Sequence, residues 1–183
     1  MFADLGIPVL SADELAKQLM NSDQRLRRRL RALLGVGTYS KDGSLNRAYV
    51  ASRIFSDSAL QQSVNKLVHP VVEQALGREF DALARRGTNI AIVEAALIYE
   101  AGYDKELDLV IVVDAPRSVR VQRVLRRDGA RGSDVRKRMR AQWPVRKKLQ
   151  RADYIIRNKG SKNELRRSVR LLVNMLSTIA GSL

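Results

Sequence analysis

The sequence predicts an α/β fold in which a parallel, doubly wound sheet has helices on both faces. Three observations support this prediction. Short apolar runs lie between turn residues, segments with helical periodicity separate them, and the run at residues 109–113 is apolar on both sides, as buried parallel strands usually are. The chain of 183 residues, 45% of them hydrophobic, is long enough to bury one core. We therefore expect a single domain over residues 1–183.

The beginning of the chain predicts the end of a helix followed by a strand. Residues 2–5 are mostly apolar and precede Gly6, which is typical of a last helical turn and its C-terminal glycine. Residues 7–10 form an apolar run of strand type, and either Ser11 or Asp13 is expected to cap the next helix. Because a single helical turn at a free terminus frays, we expect the chain to open in the middle of a strand–helix–strand unit.

Helical periodicity dominates residues 12–86. Glycine-containing turns interrupt it at residues 35–39 and 41–44. Residues 56–57 predict a further helix start, because serine and aspartate favour the N-cap position. The His-Pro pair at residues 69–70 predicts a break between two helices, because proline lacks the amide proton that a helix interior uses.

The rest of the chain alternates strands and helices. We predict strands at residues 89–93, 109–113 and 154–156, and helices at 117–128, 132–142 and 162–180. The last helix carries an apolar stripe, which we expect to pack against the sheet. The residues of this stripe are Leu165, Val169, Leu172, Val173, Leu176 and Ile179.

The net charge of +15 is unevenly distributed. Residues 1–110 hold 14 basic and 14 acidic residues, whereas residues 111–183 hold 20 basic and 5 acidic ones. This asymmetry indicates a polyanionic partner, either nucleotide phosphates or a nucleic acid, unless the arginines only solvate helix faces.

The composition also excludes several classes of protein. No apolar run approaches the ~20 residues of a membrane span, so we expect no membrane partner. There is no pattern of a signal peptide. The absence of cysteine excludes disulfides and thiolate metal sites, and a single histidine excludes a multi-histidine zinc site. We expect a cytoplasmic protein.

Two carboxylates follow predicted strands. Asp13 comes after the strand at residues 7–10, and Glu94 ends the strand at residues 89–93. Ligands of open α/β sheets bind at the carboxyl ends of strands, so Asp13 could take a proton from a substrate hydroxyl. Glu94 could hold a magnesium-bound water or a substrate group. Either residue could instead only cap the turn or helix that follows it.

Residues 117–151 form a basic block that has 14 basic residues and only Asp128 and Asp134 against them. Arg123 and Arg127 lie four residues apart, on one face of a predicted helix. Paired arginines on a helical hairpin suit a lid over phosphates, because guanidinium groups bind phosphate oxygens in a bidentate way. A solvent-exposed hairpin or a nucleic-acid groove are the alternatives, although Trp143 offers little aromatic surface for stacking bases.

These features, in this order, resemble those of the dephospho-coenzyme A kinase family. The resemblance covers nearly the whole chain. Its motifs are LGIPVLSADELA (5–16), DGSLNR (42–47), LVHPVV (67–72), LIYEAG (97–102), VVDAP (112–116), RVLRRDG (123–129), MRAQ (139–142) and ADYIIRNKGS (152–161). It implies a P-loop kinase-like fold with a helical substrate-binding region at about 22–86 and a basic lid at about 117–151. The implied reaction transfers the ATP γ-phosphoryl group to the ribose 3′-hydroxyl of dephospho-CoA, the last step of coenzyme A synthesis, with Mg²⁺ accompanying ATP.

The resemblance also implies roles for individual residues. Asp13 matches the catalytic aspartate that orients or deprotonates the 3′-hydroxyl. The remaining matches are substrate-binding His69 and Glu94, and nucleotide-binding Arg123, Arg127, Lys148, Asn158 and Gly160. No residue of this chain is expected to bind metal by itself. We expect ATP and dephospho-CoA as ligands, and a monomer or weak oligomer.

The family opens with a strand and the phosphate loop GxxxxGK[ST], and this motif does not occur in the sequence. The first, central strand of the family's sheet is therefore absent from the chain as given. We expect a true start upstream of Met1, and we expect these 183 residues alone to fold poorly and not to turn over ATP. The alternatives are a catalytically inactive remnant that binds CoA-like or other polyanionic ligands and, less favoured, a nucleic-acid-binding module.

Overall fold

A computed structural model describes residues 1–55, 57–129 and 132–181 of the chain. The strands are β1 (Val9–Ser11), β2 (Ile92–Glu94), β3 (Ile111–Asp114) and β4 (Tyr154–Arg157). The helices are α1 (Ala12–Ser22), α2 (Gln24–Leu34), α3 (Arg47–Phe55), α4 (Ser58–Arg85), α5 (Ile98–Ala101), α6 (Arg117–Asp128), α7 (Gly132–Ala141), α8 (Val145–Arg151) and α9 (Lys162–Ala180). Short 3₁₀ turns occupy Ala3–Leu5, Val36–Thr38 and Tyr103–Glu106.

All strand pairs among the described residues are parallel. β1 pairs with β2, so that Ser11 lies opposite Glu94, and β3 pairs with β4, so that Asp114 lies opposite Arg157. The predicted α/β class with parallel strands is thereby confirmed. The helices predicted at 117–128 and 162–180 have the predicted bounds, whereas β1, β2 and β3 begin two or three residues later than the apolar runs do. Hydrogen bonding defines a strand, and an apolar run can begin before its pairing does.

The described chain forms two compact units, one of residues 9–95 and the other of residues 1–8 and 96–181. The single domain over 1–183 stays a prediction. In the first unit, α1, α2 and α3 pack on α4. Apolar residues spaced four apart on α2 and α4 fall on one side of each helix and are buried there. These residues are Leu26, Leu30 and Leu34 on α2, and Val64, Val68, Val72 and Leu76 on α4.

The predicted break at His69–Pro70 is wrong, because α4 continues through Pro70 from Ser58 to Arg85. An internal proline costs a helix about 3 kcal/mol. The buried stripe outweighs this cost, because Val68 and Val72, on either side of the proline, are both buried in a helix on which α1, α2 and α3 pack. The predicted start at residues 56–57 is confirmed for Asp57, whose carboxylate accepts hydrogen bonds from the amides of Ala59 and Leu60. Ser56 lies outside the described residues.

In the second unit, α9 covers the β3–β4 pair. Ile156, Val169 and Leu172 form a buried cluster, and Phe2, from the short N-terminal segment, packs against it. Most of the predicted stripe on α9 belongs to this cluster, but Ile179 is 43% exposed and does not. A helix of 19 residues is about 28 Å long and a strand of four residues is about 13 Å long, so the stripe continues beyond the surface that it covers.

The predicted helix end near residue 5 is present as the 3₁₀ turn Ala3–Leu5, which Gly6 closes with φ 82°. This left-handed conformation is one that glycine adopts readily. Within the described ranges, no helix is both long and apolar enough to cross a membrane.

Candidate active site

The carboxyl ends of β1 and β2 bring Ser11 and Glu94 side by side. The Ser11 hydroxyl donates a hydrogen bond of 3.2 Å to Glu94 Oε2. The same hydroxyl accepts a hydrogen bond of 3.4 Å from the Glu14 amide, so Ser11 is the N-cap of α1. Of the two residues predicted to cap α1, Ser11 is therefore the N-cap, and Asp13 is the second residue of the helix.

Asp13 stands in the first turn of α1, near the Glu94 carboxylate. Partial burial raises the pKa of Asp13, the neighbouring charge of Glu94 raises it further, and Lys17 opposes both effects. The residue nevertheless keeps an exposed surface. This carboxylate therefore holds a proton more readily than an aspartate in water does, and a ligand can reach it. Both properties suit a group that takes a proton from a bound hydroxyl.

His69 lies in the middle of α4 and is half-buried. Burial lowers its pKa, and the carboxylate of Glu73 acts in the opposite direction. The imidazole is accordingly neutral over a wider pH range than a free histidine, and a neutral imidazole offers one hydrogen-bond donor and one acceptor.

Two predicted nucleotide-binding residues meet at the end of β4. The Arg123 guanidinium on α6 donates a hydrogen bond of 3.2 Å to the Asn158 carbonyl. The Asn158 amide in turn donates a bond of 2.6 Å to the Asp114 carbonyl at the end of β3. Arg127, one turn after Arg123, pairs with the Asp128 carboxylate at 2.7 Å. The main chain of Asn158 is thus bonded both to the end of β3 and to Arg123 on α6.

Gly160 lies directly before α9, whose first turn holds a capping box. The Ser161 hydroxyl accepts from the Glu164 amide at 3.2 Å, and the Glu164 carboxylate accepts from the Ser161 amide at 2.7 Å. A Cβ at position 160 would overlap that carboxylate. The capping box therefore explains by itself why a glycine stands here, independently of any nucleotide.

Lys148, on α8, makes two bonds within its own unit. Its ammonium lies 2.7 Å from the Glu100 carboxylate and donates a hydrogen bond of 2.9 Å to the Ala96 carbonyl. The Glu100 carboxylate also accepts a bond of 2.7 Å from the amide of Trp143, whose indole lies parallel to the Tyr99 ring with 6.2 Å between centroids. Two of the three N–H groups of Lys148 are thus used by the protein, and its predicted role in nucleotide binding stays a prediction.

Comparison with known proteins decides the family. The family profile described as dephospho-CoA kinase matches residues 1–164. The chain belongs to the dephospho-CoA kinase family. The dephospho-CoA kinase of Chlorobaculum tepidum is 38% identical over 183 residues, which cover 98% of this chain and 88% of that relative. The dephospho-CoA kinase of Syntrophotalea carbinolica is 36% identical over 176 residues, which cover 96% and 83%.

Solved structures share the fold of this chain. The crystal structure of TT1252 from Thermus thermophilus matches with a TM-score of 0.77 and 31% identity, over 96% of this chain and 87% of that one. The dephospho-CoA kinase from Campylobacter jejuni matches with a TM-score of 0.71 over 100% of this chain and 90% of that one. Its identity of 21% supports the fold alone. The expected P-loop kinase-like α/β fold is confirmed by these matches.

Mg²⁺ is the ion expected with ATP, and carboxylate oxygens such as those of Asp13 and Glu94 are the kind of ligand that it prefers. Within the described ranges, no group of three or more His, Cys, Asp or Glu side chains could enclose a metal. Mg²⁺ seldom needs such a cage, because in kinases one or two carboxylates and the substrate phosphates hold it together with water. Burial is the main cause of the raised pKa of Asp13 and repulsion from Glu94 adds to it; a cation beside these carboxylates would relieve the repulsion.

The sequence did not single out Glu100 and Trp143. Glu100 lies in the LIYEAG motif and Trp143 lies near the end of the basic block, but nothing in their spacing indicates a contact between them. They lie 43 residues apart in the chain and meet only in the folded protein. The one available signal was the presence of a single tryptophan in a very basic segment, which indicates an aromatic group with a cation beside it. Lys147 does lie 3.4 Å above the Trp143 ring.

Proposed function

We propose that the protein expressed from the native gene carries out the reaction of its family, the ATP-dependent phosphorylation of the ribose 3′-hydroxyl of dephospho-CoA, and that this chain supplies the catalytic carboxylate. The observation that supports this proposal best is the Asp13 carboxylate, which follows a parallel strand, remains exposed and has a raised pKa beside Glu94. A kinase that phosphorylates an alcohol needs a carboxylate of this kind at the nucleophile.

In the mechanism that we propose, Asp13 accepts a hydrogen bond from the 3′-hydroxyl and takes its proton as the oxygen attacks the γ-phosphorus. A new O–P bond forms while the bond between the γ-phosphorus and the β,γ-bridging oxygen breaks, and ADP leaves with that oxygen. Glu94, which is held by the Ser11 hydroxyl, fixes the edge at which the substrate binds. When Mg²⁺ is bound with ATP, it neutralises charge on the phosphates.

We propose roles for the other predicted residues as well. His69 and Glu94 bind dephospho-CoA, the neutral imidazole of His69 through a hydrogen bond. Arg123 and Arg127 face the ATP phosphates, and Asn158 and Gly160 lie beside the adenine. Lys148 supports nucleotide binding through the return of the lid, where Glu100 holds it. We place the reaction in the cytoplasm, with the protein as a monomer or weak oligomer.

The test is a dephospho-CoA kinase assay on the protein expressed from its native gene, with ATP and Mg²⁺. Arg123→Ala should raise the KM for ATP roughly tenfold or more, because a hydrogen bond to a charged group contributes about 1.5–3 kcal/mol. The matched control is Arg126→Ala, which removes an exposed arginine of the same helix and should leave the KM within about twofold. Absence of phosphorylated product from the unaltered protein would refute the proposed function.

A further inference from the structure

A cavity of about 250 Å³ lies between α6, α7 and the segment that leads into α8. Arginines from both helices line it, together with two residues that follow α7. The lining residues that matter here are Arg117, Arg120, Arg136, Arg140, Gln142 and Trp143. All of them belong to the unit that contains residues 96–181, so the whole cavity lies within one compact unit.

The cavity has a strong positive charge. Of the described residues that line it, four are arginines and none is acidic. Arg120 is half-buried, and its Nε donates a hydrogen bond of 3.1 Å to the Ala115 carbonyl. This bond leaves the two terminal nitrogens of Arg120 for another acceptor. Four like charges in one place repel each other, and a bound anion removes that repulsion.

Trp143, which also lines the cavity, is held by the surrounding protein. The amide of Trp143 donates to Glu100, and its indole is stacked on the buried Tyr99 ring at an interplanar angle of 6°. Arg151 adds a further cation 5.7 Å from the indole centroid. Because these contacts fix Trp143 before any ligand arrives, little side-chain entropy is lost when an anion binds against it.

The arginines of the basic hairpin fall into two groups that share no member. Arg123 donates to the Asn158 carbonyl and Arg127 pairs with Asp128, and neither lines the cavity. The residues that we expect around ATP are therefore different from those of the cavity. The roles expected for Arg123 and Arg127 therefore do not account for the four arginines of the cavity.

We propose that this cavity is a second anion site and that it binds a diphosphate group, either free as pyrophosphate or carried by a nucleotide. Four guanidinium groups can each offer a pair of N–H donors, which matches the many oxygens and the charge of a diphosphate better than those of one phosphate. The volume is below the 300–1,000 Å³ of pockets for drug-sized ligands, so the cavity suits a small anionic group. The site does not depend on the proposed kinase reaction.

Trp143 makes the proposal directly testable, because it is the single tryptophan of the chain and it lines the cavity. The experiment is a fluorescence titration of the protein expressed from its native gene with sodium pyrophosphate and with inorganic phosphate, at constant ionic strength. We expect a saturable change with pyrophosphate and at least roughly tenfold weaker binding of phosphate. The double variant R136A/R140A should bind pyrophosphate at least tenfold more weakly, because two charge-assisted contacts are lost. Both side chains are exposed, so their removal should leave the fold intact.

The matched control is R166A/R167A, which removes the same charge from the exposed face of α9. This variant should bind pyrophosphate within about twofold of the unaltered chain. Equal weakening in both double variants would mean that only the overall charge attracts the anion, and would overturn the proposal. A titration without saturation, on protein whose circular dichroism is that of a folded chain, would overturn it too.

Two further ligands identify the source of the diphosphate. If ADP binds more tightly than pyrophosphate and R136A/R140A weakens both equally, the diphosphate is carried by a nucleotide. If pyrophosphate binds more tightly than ADP, the ligand is the free anion. Short single-stranded DNA that binds more tightly than either would overturn the proposal in favour of a nucleic-acid surface. A failed kinase assay leaves each of these outcomes unchanged, so the two proposals fail separately.

Discussion

The Lys148 ammonium lies 2.7 Å from the Glu100 carboxylate, and both side chains are largely buried, at 15% and 13% exposure. This ion pair joins α8 to α5, and its two residues are 48 positions apart in the chain. The same carboxylate accepts the amide proton of Trp143, so one acidic side chain fixes both ends of the short segment that returns from the basic hairpin.

Loss of this pair should destabilise the protein strongly. Lys148→Met leaves the Glu100 carboxylate buried without its cation, and breaking a buried ion pair costs about 3–5 kcal/mol. We expect a lower urea midpoint and, because Trp143 becomes more exposed, a red shift of its fluorescence. The double variant that also carries Glu100→Met should recover part of the loss, since no buried charge then remains. Lys17→Met, at an exposed pair with Glu14, is the control and should leave the midpoint almost unchanged. Equal midpoints for Lys148→Met and this control would contradict the prediction.

Asp13→Asn should separate activity from stability. General base catalysis contributes about 10²–10⁴-fold, so the variant should lose at least roughly 100-fold in kcat. Its stability at pH 7 should be equal or slightly higher, because burial and Glu94 raise the pKa of Asp13 and so disfavour the ionised form in the folded protein.

The pH dependence has a definite sign. Because the pKa of Asp13 is raised in the folded state, the folded protein keeps this proton to a higher pH than the unfolded chain does. The ionised carboxylate therefore begins to lower the stability as pH rises above 3.8, the ordinary pKa of aspartate, and its full cost is reached above the folded pKa. The stability gain of Asp13→Asn should therefore vanish in acid. Glu14→Gln, next to it and exposed, is the control for activity. A gain in stability that grows toward low pH would refute this assignment.

Gly160→Ala should weaken the start of α9. The new Cβ overlaps the Glu164 carboxylate, which must leave the capping box, and loss of a cap should lower the thermal midpoint by about 2–4 °C. Gly77→Ala is the matched control, because a Cβ there meets no atom within 4 Å and position 77 lies inside α4. This control should keep or raise the midpoint, since alanine favours helix more than glycine does. Two variants with the same midpoint would show that Glu164 adapts without cost.

His69→Gln should flatten the dependence of stability on pH in mild acid. Burial lowers the pKa of His69 in the folded state, so the neutral imidazole contributes stability that is present above about pH 6.5 and is lost as pH falls through the folded pKa. Urea unfolding at pH 7.5 and pH 5 measures this loss. Between pH 7.5 and pH 5 the unaltered protein should lose more free energy of unfolding than the variant. Equal losses would mean that groups other than His69 cause the pH dependence.

The elements that could be predicted from the sequence are those whose signals are local. The bounds of α6 and α9 follow from capping residues and from periodicity, and the N-caps Ser11 and Asp57 act within three residues of themselves. The pairing of Ser11 with Glu94 could be expected as well, because parallel strands place their carboxyl ends at one edge. The comparisons support the family, whereas the roles of the individual site residues remain to be tested.

The sequence by itself determined the α/β class, the parallel strands, the basic C-terminal part and the family resemblance, because composition, periodicity and ordered motifs are properties of neighbouring residues. The tertiary structure decided three other features: the continuity of α4 through Pro70, the exposure of Ile179, and the joining of Glu100 to Trp143 and Lys148. Each depends on which surfaces meet after the chain has folded. The packing free energy summed over such a surface exceeds the intrinsic conformational preference of any single residue. It cannot be predicted from a local sequence pattern, because it depends on residues that are distant in the chain.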